Sequence, residues 1–479
     1  MKDHTKTSSG ALPGAGSRVS RRNFLRTGAA GAGLAVLGAS RAAAQSNAPA
    51  AAGAAPAAPK GAAEGIKVGL VGCGAQGRVL LEACMGITDP GLKLNFVSVC
   101  DIWPVNLKYG QNYLKKFGHD PSAHEEFEKF LDDGRSRGMQ AVIVAVPDIW
   151  HSPYTVAALK AGYHVYCEKM MAHTVEAARK MVQAMKETGK LCQIGHQRRS
   201  NPRYIFALQK ILNESRMLGR VVNANAQWNR SIRGSVDLEW PKKYEMPQAT
   251  LEKYGYANMR EFRNWRWFRK YSGGPISDLG AHQIDIFNWF FGAKPKTVMA
   301  SGGSDHFTDR EWYDNVMAIY EYELPDKTTS RAFYQVLTTT SAGGGYYEQF
   351  MGIDGALKIS ENAAITRVYK ESHADWTEWK TKGLLKEIVK AETIPASLES
   401  VALLDVRASA DLDAYDLPVE LNKKAHQPHL ENFFSAVLGK AKLNCAADEA
   451  FESEAAVFKV NVAVEARTQL KFEHSDFEA

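Results

Sequence analysis

Six cysteines in 479 residues are few, and nothing in their placement organises a fold. Cys73, Cys100, Cys167 and Cys192 sit in or beside apolar, strand-like runs, where cysteine serves as a small hydrophobe. They show neither zinc-ligand spacing nor the framework of a disulfide-stapled domain, so structural burial is the expectation. A long apolar run is missing as well. The stretch Gly28 to Ala39 is too short to cross a bilayer and no other is longer, so no stable membrane anchor is expected. The body of the chain also lacks a charge of either sign. Lys2, Lys6, Arg18, Arg21, Arg22, Arg26 and Arg41 face Asp3 alone in residues 1–44, which accounts for the whole formal charge of +6. The remainder is neutral, and nothing in it argues for nucleic acid as a partner.

What is present begins with that basic leader. Ser20-Arg-Arg-Asn-Phe-Leu25 precedes the short apolar run, and Ala42-Ala-Ala44 follows it. Twin arginines, a weakly apolar segment and an A-x-A site read as a twin-arginine export signal over residues 1–44. The expectation is a periplasmic protein, carried out already folded by the twin-arginine machinery. Residues 45–65, rich in alanine and proline, read as a linker without a core. The remaining length suits two domains.

From residue 66 to 196 the chain alternates apolar runs with helix-length segments, which predicts a parallel sheet with right-handed crossovers. Ile66 to Gly72 is a buried-strand pattern, and Gly72-Cys-Gly-Ala-Gln-Gly77 opens a helix-compatible run directly after it. In that setting Gly72 allows a tight turn and Gly74 lets backbone approach a pyrophosphate. Gly77 lets helix and strand pack closely, while Ala75 and Gln76 offer N–H groups at the helix start. The strand Leu94–Cys100 ends in Asp101, placed to accept from a ribose hydroxyl. Ile102 and Trp103 bring no cation for a 2′-phosphate, so NAD is favoured over NADP, with Arg78 the one cation at the loop. Ligands bind at the carboxyl ends of such strands, and Pro147, His151, Glu168, Lys169 and His196 all lie just past strand ends. Gln197 and Arg198 follow, and could face both cofactor and substrate. A partly desolvated lysine at Lys169 can give up a proton or hold a substrate hydroxyl. An ordinary surface pair with Glu168 is the plainer alternative.

In the second half, Gly273-Gly-Pro breaks the chain and Ser277 is a plausible N-cap for a helix over Asp278–Trp289. Asp278, His282 and Asp285 would then share one face. A carboxylate one turn before an imidazole can orient the ring and raise its basicity; it can equally be a dipole-compensating aspartate before a core histidine. Trp265 and Trp267, flanking Arg266, could wall a sugar cleft or anchor a core. Alternating strands are expected at Val221–Trp228, Trp312–Glu323 and Thr329–Thr338, with a hairpin around Asp354-Gly355. Residues 361–425 suggest an excursion toward an oligomer partner, and the helices His429–Val437 and Glu449–Thr468 should cover the sheet.

Three pieces in this order resemble the Gfo/Idh/MocA oxidoreductases: Gly72–Gly77, Ala161–Ala177 with its Glu168-Lys169 pair, and Gly273–Asp285. The resemblance implies an α/β protein with an N-terminal Rossmann domain (66–196) and a C-terminal α/β domain (197–479) whose open sheet is mostly antiparallel. It also implies a Lys169, Asp278 and His282 constellation at the nicotinamide, acting on sugars or cyclitols. Met170 stands where the family typically has proline. Hydride transfer follows, with His282 as base, Asp278 orienting it and Lys169 on the same oxygen. Arg198, Trp265, Arg266, Trp267 and Asp285 are the candidate substrate contacts. Without a soluble NAD pool in the periplasm, the cofactor is expected to stay tightly bound and be recycled in place. Some exported relatives instead cleave glycosides by transient oxidation, elimination and re-reduction, but usually lack a lysine at the position of Lys169. A non-catalytic binder is the third reading, and a metal at Asp278, His282 and Asp285 the fourth; no further ligand cluster supports the metal.

Overall fold

The computed structural model describes residues 65–231, 237–388 and 412–479. The expected export leader and nearly all of the expected linker lie outside the described residues, as do residues 389–411 of the expected excursion.

Six parallel strands form the first sheet, in the order β3-β2-β1-β4-β5-β6. They are β1 Ile66–Val71, β2 Leu94–Cys100, β3 Ser122–His124, β4 Ala141–Val144, β5 His164–Cys167 and β6 Cys192–Ile194. The crossovers are helical: α1 Ala75–Met85, α2 Pro104–Lys116, α3 Phe127–Ser136, α4 Asp148–Lys160 and α5 Val175–Thr188. Strands buried on both faces read as continuous apolar runs, which is why β1, β2 and β4 are legible; β4 is wholly buried, and β1 and β2 are buried except at Lys67, Leu94 and Asn95. At α5 the sequence sets both ends. Thr174 Oγ1 accepts from Ala177 N at 3.2 Å, and Gly189 takes the left-handed C-cap at φ 63°. All six cysteines are free and buried.

The second sheet has ten described strands, in the order β14-β15-β13-β12-β11-β7-β10-β9-β8-β16, one end being β9 Asn315–Glu323, β8 Pro295–Gly303 and β16 Leu470–Lys471. Its centre is β7 Val221–Asn229, which pairs in parallel with β10 Thr329–Leu337 and antiparallel with β11 Tyr346–Gly352. Every other pairing is antiparallel, as expected. The hairpin falls where Asp354-Gly355 placed it, between β11 and β12 Gly355–Ile359. Residues 361–425 do more than reach outward: β13 Arg367–Lys370, β14 Lys386–Glu387 and β15 Asp413–Asp416 extend this sheet.

Two late helices divide differently from the expectation. The helix Gln427–Val437 packs on the first sheet, burying Leu430, Phe433 and Phe434 with Ile66, Val68 and Leu80. Its apolar face matches the gap beside α1, so the chain returns to the nucleotide half. The helix Ala447–Ala466 belongs to both halves. Ala447, Ala450 and Phe451 join the core under α5, and Ala456, Val460 and Ala463 join that of the second sheet. This one helix ties the two cores together.

Candidate active site

The glycine turn is built as its spacing predicts. A Cβ on Gly72, whose φ is +90°, would lie 2.2 Å from the Ala145 carbonyl oxygen, and one on Gly77 would lie 1.9 Å from that of Gly72. Gly74 differs: the nearest atom to its Cβ would be Asn106 Nδ2 at 3.7 Å. Nothing inside the protein requires glycine there, so the space it clears is outside, where a pyrophosphate would meet the uncapped start of α1. Ala75 is exposed, and Gln76 is tied to His426 at 3.0 Å.

Asp101 closes β2, 9 % exposed. Its Oδ2 accepts from Cys73 N and its Oδ1 from Trp103 N, both at 2.8 Å. Burial pushes its carboxyl up to about 6 against those N–H donors, which favour the ionised form. Arg78 is held against the turn. It donates to the Cys73 carbonyl and to Asn106 Oδ1, and it stacks 3.7 Å over Tyr109. Glycine turn, open helix start and strand-end carboxylate together fit a dinucleotide.

At the ends of β4 and β5 the candidates separate. Pro147 stands immediately before α4. His151 is buried, its Nδ1 2.6 Å from the Met170 carbonyl, and burial pushes its pKa down to about 4. It props the turn after β5. Glu168 is buried too, accepting from Tyr166 Oη at 3.4 Å; a Cβ on Gly195 would press within 2.8 Å of it. Lys169, half-buried, donates from Nζ to the backbone carbonyl of Asp278. The Lys169–Met170 peptide is cis, and Met171 N donates to Glu454 Oε1 at 2.7 Å.

The helical stretch opposite begins earlier than expected. Gly274, at φ +79°, and Pro275 start it; Ile276–Gly280 is one wide π turn, and Ala281–Phe291 continues as an α-helix. Ser277 therefore lies inside the helix, its buried hydroxyl without a hydrogen-bond partner, and does not cap it. Nor does Asp278 orient His282. Its Oδ2 accepts from Arg230 Nη2 at 2.8 Å and its Oδ1 from Arg266 Nε at 3.0 Å. Burial would push this carboxyl up, but Arg266, Arg230 and Lys169 outweigh it and hold it well below the usual range. His282 has an enclosed Nδ1 with no partner. Its ring centroid is 5.8 Å from that of Trp228 and 6.1 Å from that of His196. Burial first, then the Lys169 and Arg198 charges, depress its pKa far below the ordinary histidine value. The imidazole is neutral at neutral pH.

Two candidate substrate contacts are internal instead. Asp285 accepts a fork from Arg199 Nε and Nη2 at 3.0 and 2.7 Å and a bond from Ser453 Oγ at 2.8 Å. Arg198 is buried between Glu348, which also accepts from Tyr204 Oη at 2.7 Å, and Glu361 at 3.3 Å. Gln197 donates to the same Glu361 at 3.1 Å. With both carboxylates of the helix face taken by arginines, the metal reading loses its ligands. Trp265 lies against a satellite core with Trp103 and Tyr256, the Arg266 guanidinium 4.2 Å over its ring. Trp267 lines the small cleft at Asp278 with Arg230, Arg266 and Thr338, and Arg310 lies 3.8 Å over it. Sequence reasoning missed Asp148, buried in the first turn of α4, and Arg230, one residue past β7. Both follow strand ends, the signal that had found their neighbours.

Residues 66–196 match the oxidoreductase family with an NAD-binding Rossmann fold, and residues 207–356 match the GFO/IDH/MocA C-terminal domain. An inositol 2-dehydrogenase of Rubrobacter xylanophilus is 32 % identical over 38 % of this chain, which spans about half (49 %) of that relative's length. An alpha-N-acetylgalactosaminidase of Tannerella forsythia is 30 % identical over 65 % of this chain and 68 % of its own length. The aldose-aldose oxidoreductase of Caulobacter crescentus, solved with glycerol, shares the fold with a TM-score of 0.62 at 17 % identity, over 85 % of this chain and all of that one. Both matched domains follow one another in the order the three sequence pieces set, and the chain belongs to the Gfo/Idh/MocA oxidoreductase family.

Proposed function

We propose that the protein is an NAD(P)-dependent oxidoreductase acting on a CH–OH group of a sugar- or cyclitol-like substrate. The observation that carries this is the convergence of Lys169, Asp278 and His282 at the carboxyl end of β5, beside a turn that fits a dinucleotide. When bound there, the nicotinamide supplies the hydride acceptor or donor. The chain's own residues handle the proton. Lys169, aimed by the Asp278 carbonyl, donates a hydrogen bond to the substrate oxygen and stabilises the alkoxide as it develops. His282, whose imidazole is neutral, takes the hydroxyl proton. The role of Asp278 is thus to place the lysine through its carbonyl while its side chain anchors two arginines.

Asp101 supports NAD over NADP, since a carboxylate there would repel a 2′-phosphate. The leader at residues 1–44 supports export by the twin-arginine route, and in the periplasm a tightly held cofactor must be recycled by a second carbonyl substrate. We also read the protein as a homo-oligomer.

A second reading is a glycosidase that oxidises, eliminates and re-reduces, favoured by the similarity to the Tannerella galactosaminidase. Stopped-flow absorbance of the purified, NAD-loaded protein against free sugars and aryl glycosides separates the two. Reduced cofactor that persists until a carbonyl acceptor is added supports the oxidoreductase. Aglycone release with the cofactor returning to its oxidised form supports the glycosidase, and a flat trace for all compounds refutes both.

A further inference from the structure

We propose that the surface at the mouth of the small cleft beside Asp278 takes a sugar bearing an anionic group, a carboxylate or a phosphate, held by the part-exposed guanidinium groups of Arg230 and Arg266. The proposal rests on the hydride-transfer reading for the place of the substrate, and otherwise on how these two arginines are arranged. They come from separate elements, the end of β7 and the turn Trp265–Trp267, and meet at one carboxylate. Each gives Asp278 a single N–H, one to each oxygen.

The same helix shows what a purely structural pair looks like. One turn on from His282, Asp285 is paired with a single arginine, Arg199, through a fork of Nε and Nη2, and also accepts from Ser453 Oγ; the arginine side chain is 10 % exposed. One arginine is therefore enough to neutralise and hold a carboxylate in this helix. At Asp278 two are used, neither as a fork, and their side chains remain 36 % and 38 % exposed. Among the described residues, the donors left over on both guanidiniums bond to no second carboxylate. Their planar geometry suits a carboxylate or phosphate presented by a ligand.

Charge leads to the same conclusion. Lys169, Arg230 and Arg266 all bond to one residue, Asp278, so cations outnumber the carboxylate they share. Glu454, buried and with its carboxyl pushed up by that burial, is one further carboxyl nearby, and Asp148 is another. Asp148 is 4 % exposed, and burial, with the Asp278 charge, pushes it up to about 8, so it is mostly protonated at neutral pH and cancels little of that excess. Surplus like charge in a partly desolvated cleft is unfavourable until an anion arrives. The Trp267 ring, fixed under Arg310, supplies an apolar wall beside the pair for the face of a sugar ring.

The test is calorimetric binding to the full-length, NAD-loaded protein at low salt. The probes are glucose and galactose, their two uronates, and glucose 6-phosphate. At least one anionic sugar should bind about tenfold or more tightly than its neutral parent, with an affinity that falls as salt is raised while the parent's does not. Arg230→Gln should erase most of that preference, and Arg230→Lys should restore part of it. A uronate preference identifies a carboxylate, and a glucose 6-phosphate preference a phosphate. Neutral sugars binding as tightly as their anionic partners overturn the proposal, as does failure of every anionic sugar to bind. The salt dependence of the unmutated protein keeps the test valid should a variant misfold. If anionic sugars bind but never change the oxidation state of the cofactor, the hydride-transfer reading fails and the anion site stands.

Discussion

Replacing Asp101 with asparagine separates a ribose contact from a mere cap on the strand end. The carboxylate accepts two backbone N–H groups, from Cys73 and Trp103. An amide accepts through one atom only, so one buried N–H loses its partner, at about 1–3 kcal/mol. The charge it removes was itself unfavourable. Burial raises Asp101 from an ordinary value near 3.8 to about 6, which at neutral pH is on the order of 3 kcal/mol against folding. The sign is that of a raised acid: the stability is full below the unfolded value and lost as pH rises through about 6. The two effects nearly cancel, so a urea titration near neutral pH should find little change in stability. Nucleotide binding has no such compensation. The ribose diol loses a charge-assisted bond of about 1.5–3 kcal/mol, roughly a ten- to hundredfold weaker affinity. Titration with NADH, followed by fluorescence, measures it. Unchanged NADH affinity would remove Asp101 from the cofactor site. A stability loss large enough to account for weaker binding would leave it a structural cap.

Two further predictions concern buried charge. Arg198→Met strands Glu348 in the core with Tyr204 as its remaining partner, and should destabilise the protein by about 3–5 kcal/mol, read from the shift in urea midpoint; an unchanged midpoint would show the pair to be dispensable. Asp148 is buried beside the Asp278 charge with its carboxyl raised from 3.8 to about 8, so the stability of its protonated form is full below 3.8 and lost as pH rises to about 8. Asp148→Asn should be close to neutral only below about pH 3.8, and should become progressively more stable than the unmutated protein as pH rises from there to about 8. Parallel stability–pH curves for the two proteins would refute that placement.

The sequence carried the first domain through local signals. The apolar run Leu94–Cys100 matches β2 residue for residue, because a strand buried on both faces has few polar positions to blur it. The segment 104–136 gave no comparable signal: β3 is three residues long and α3 buries little besides Phe127, Phe130 and Gly134. The order Lys169, Asp278, His282 was legible, but the partners of Asp278 were not. Arg230 lies 48 residues away, and Arg199 lies 86 residues from Asp285; side chains that meet only after the sheets form leave no periodicity to read. For the same reason the apolar face of Gln427–Val437 was visible while the sheet it covers was not. The π turn at Ile276–Gly280 has no spacing signal at all, and it displaced Ser277 from the cap.

The most direct test of the catalytic assignment compares Lys169→Ala with the unmutated protein, each loaded with NAD and mixed with the sugar that reduces the cofactor fastest. The expected result is intact nucleotide retention with cofactor reduction slowed by at least about 2.7 kcal/mol of lost alkoxide stabilisation, on the order of a hundredfold. Reduction at the unmutated rate would contradict the assignment, and with it the reading of Lys169, Asp278 and His282 as one site.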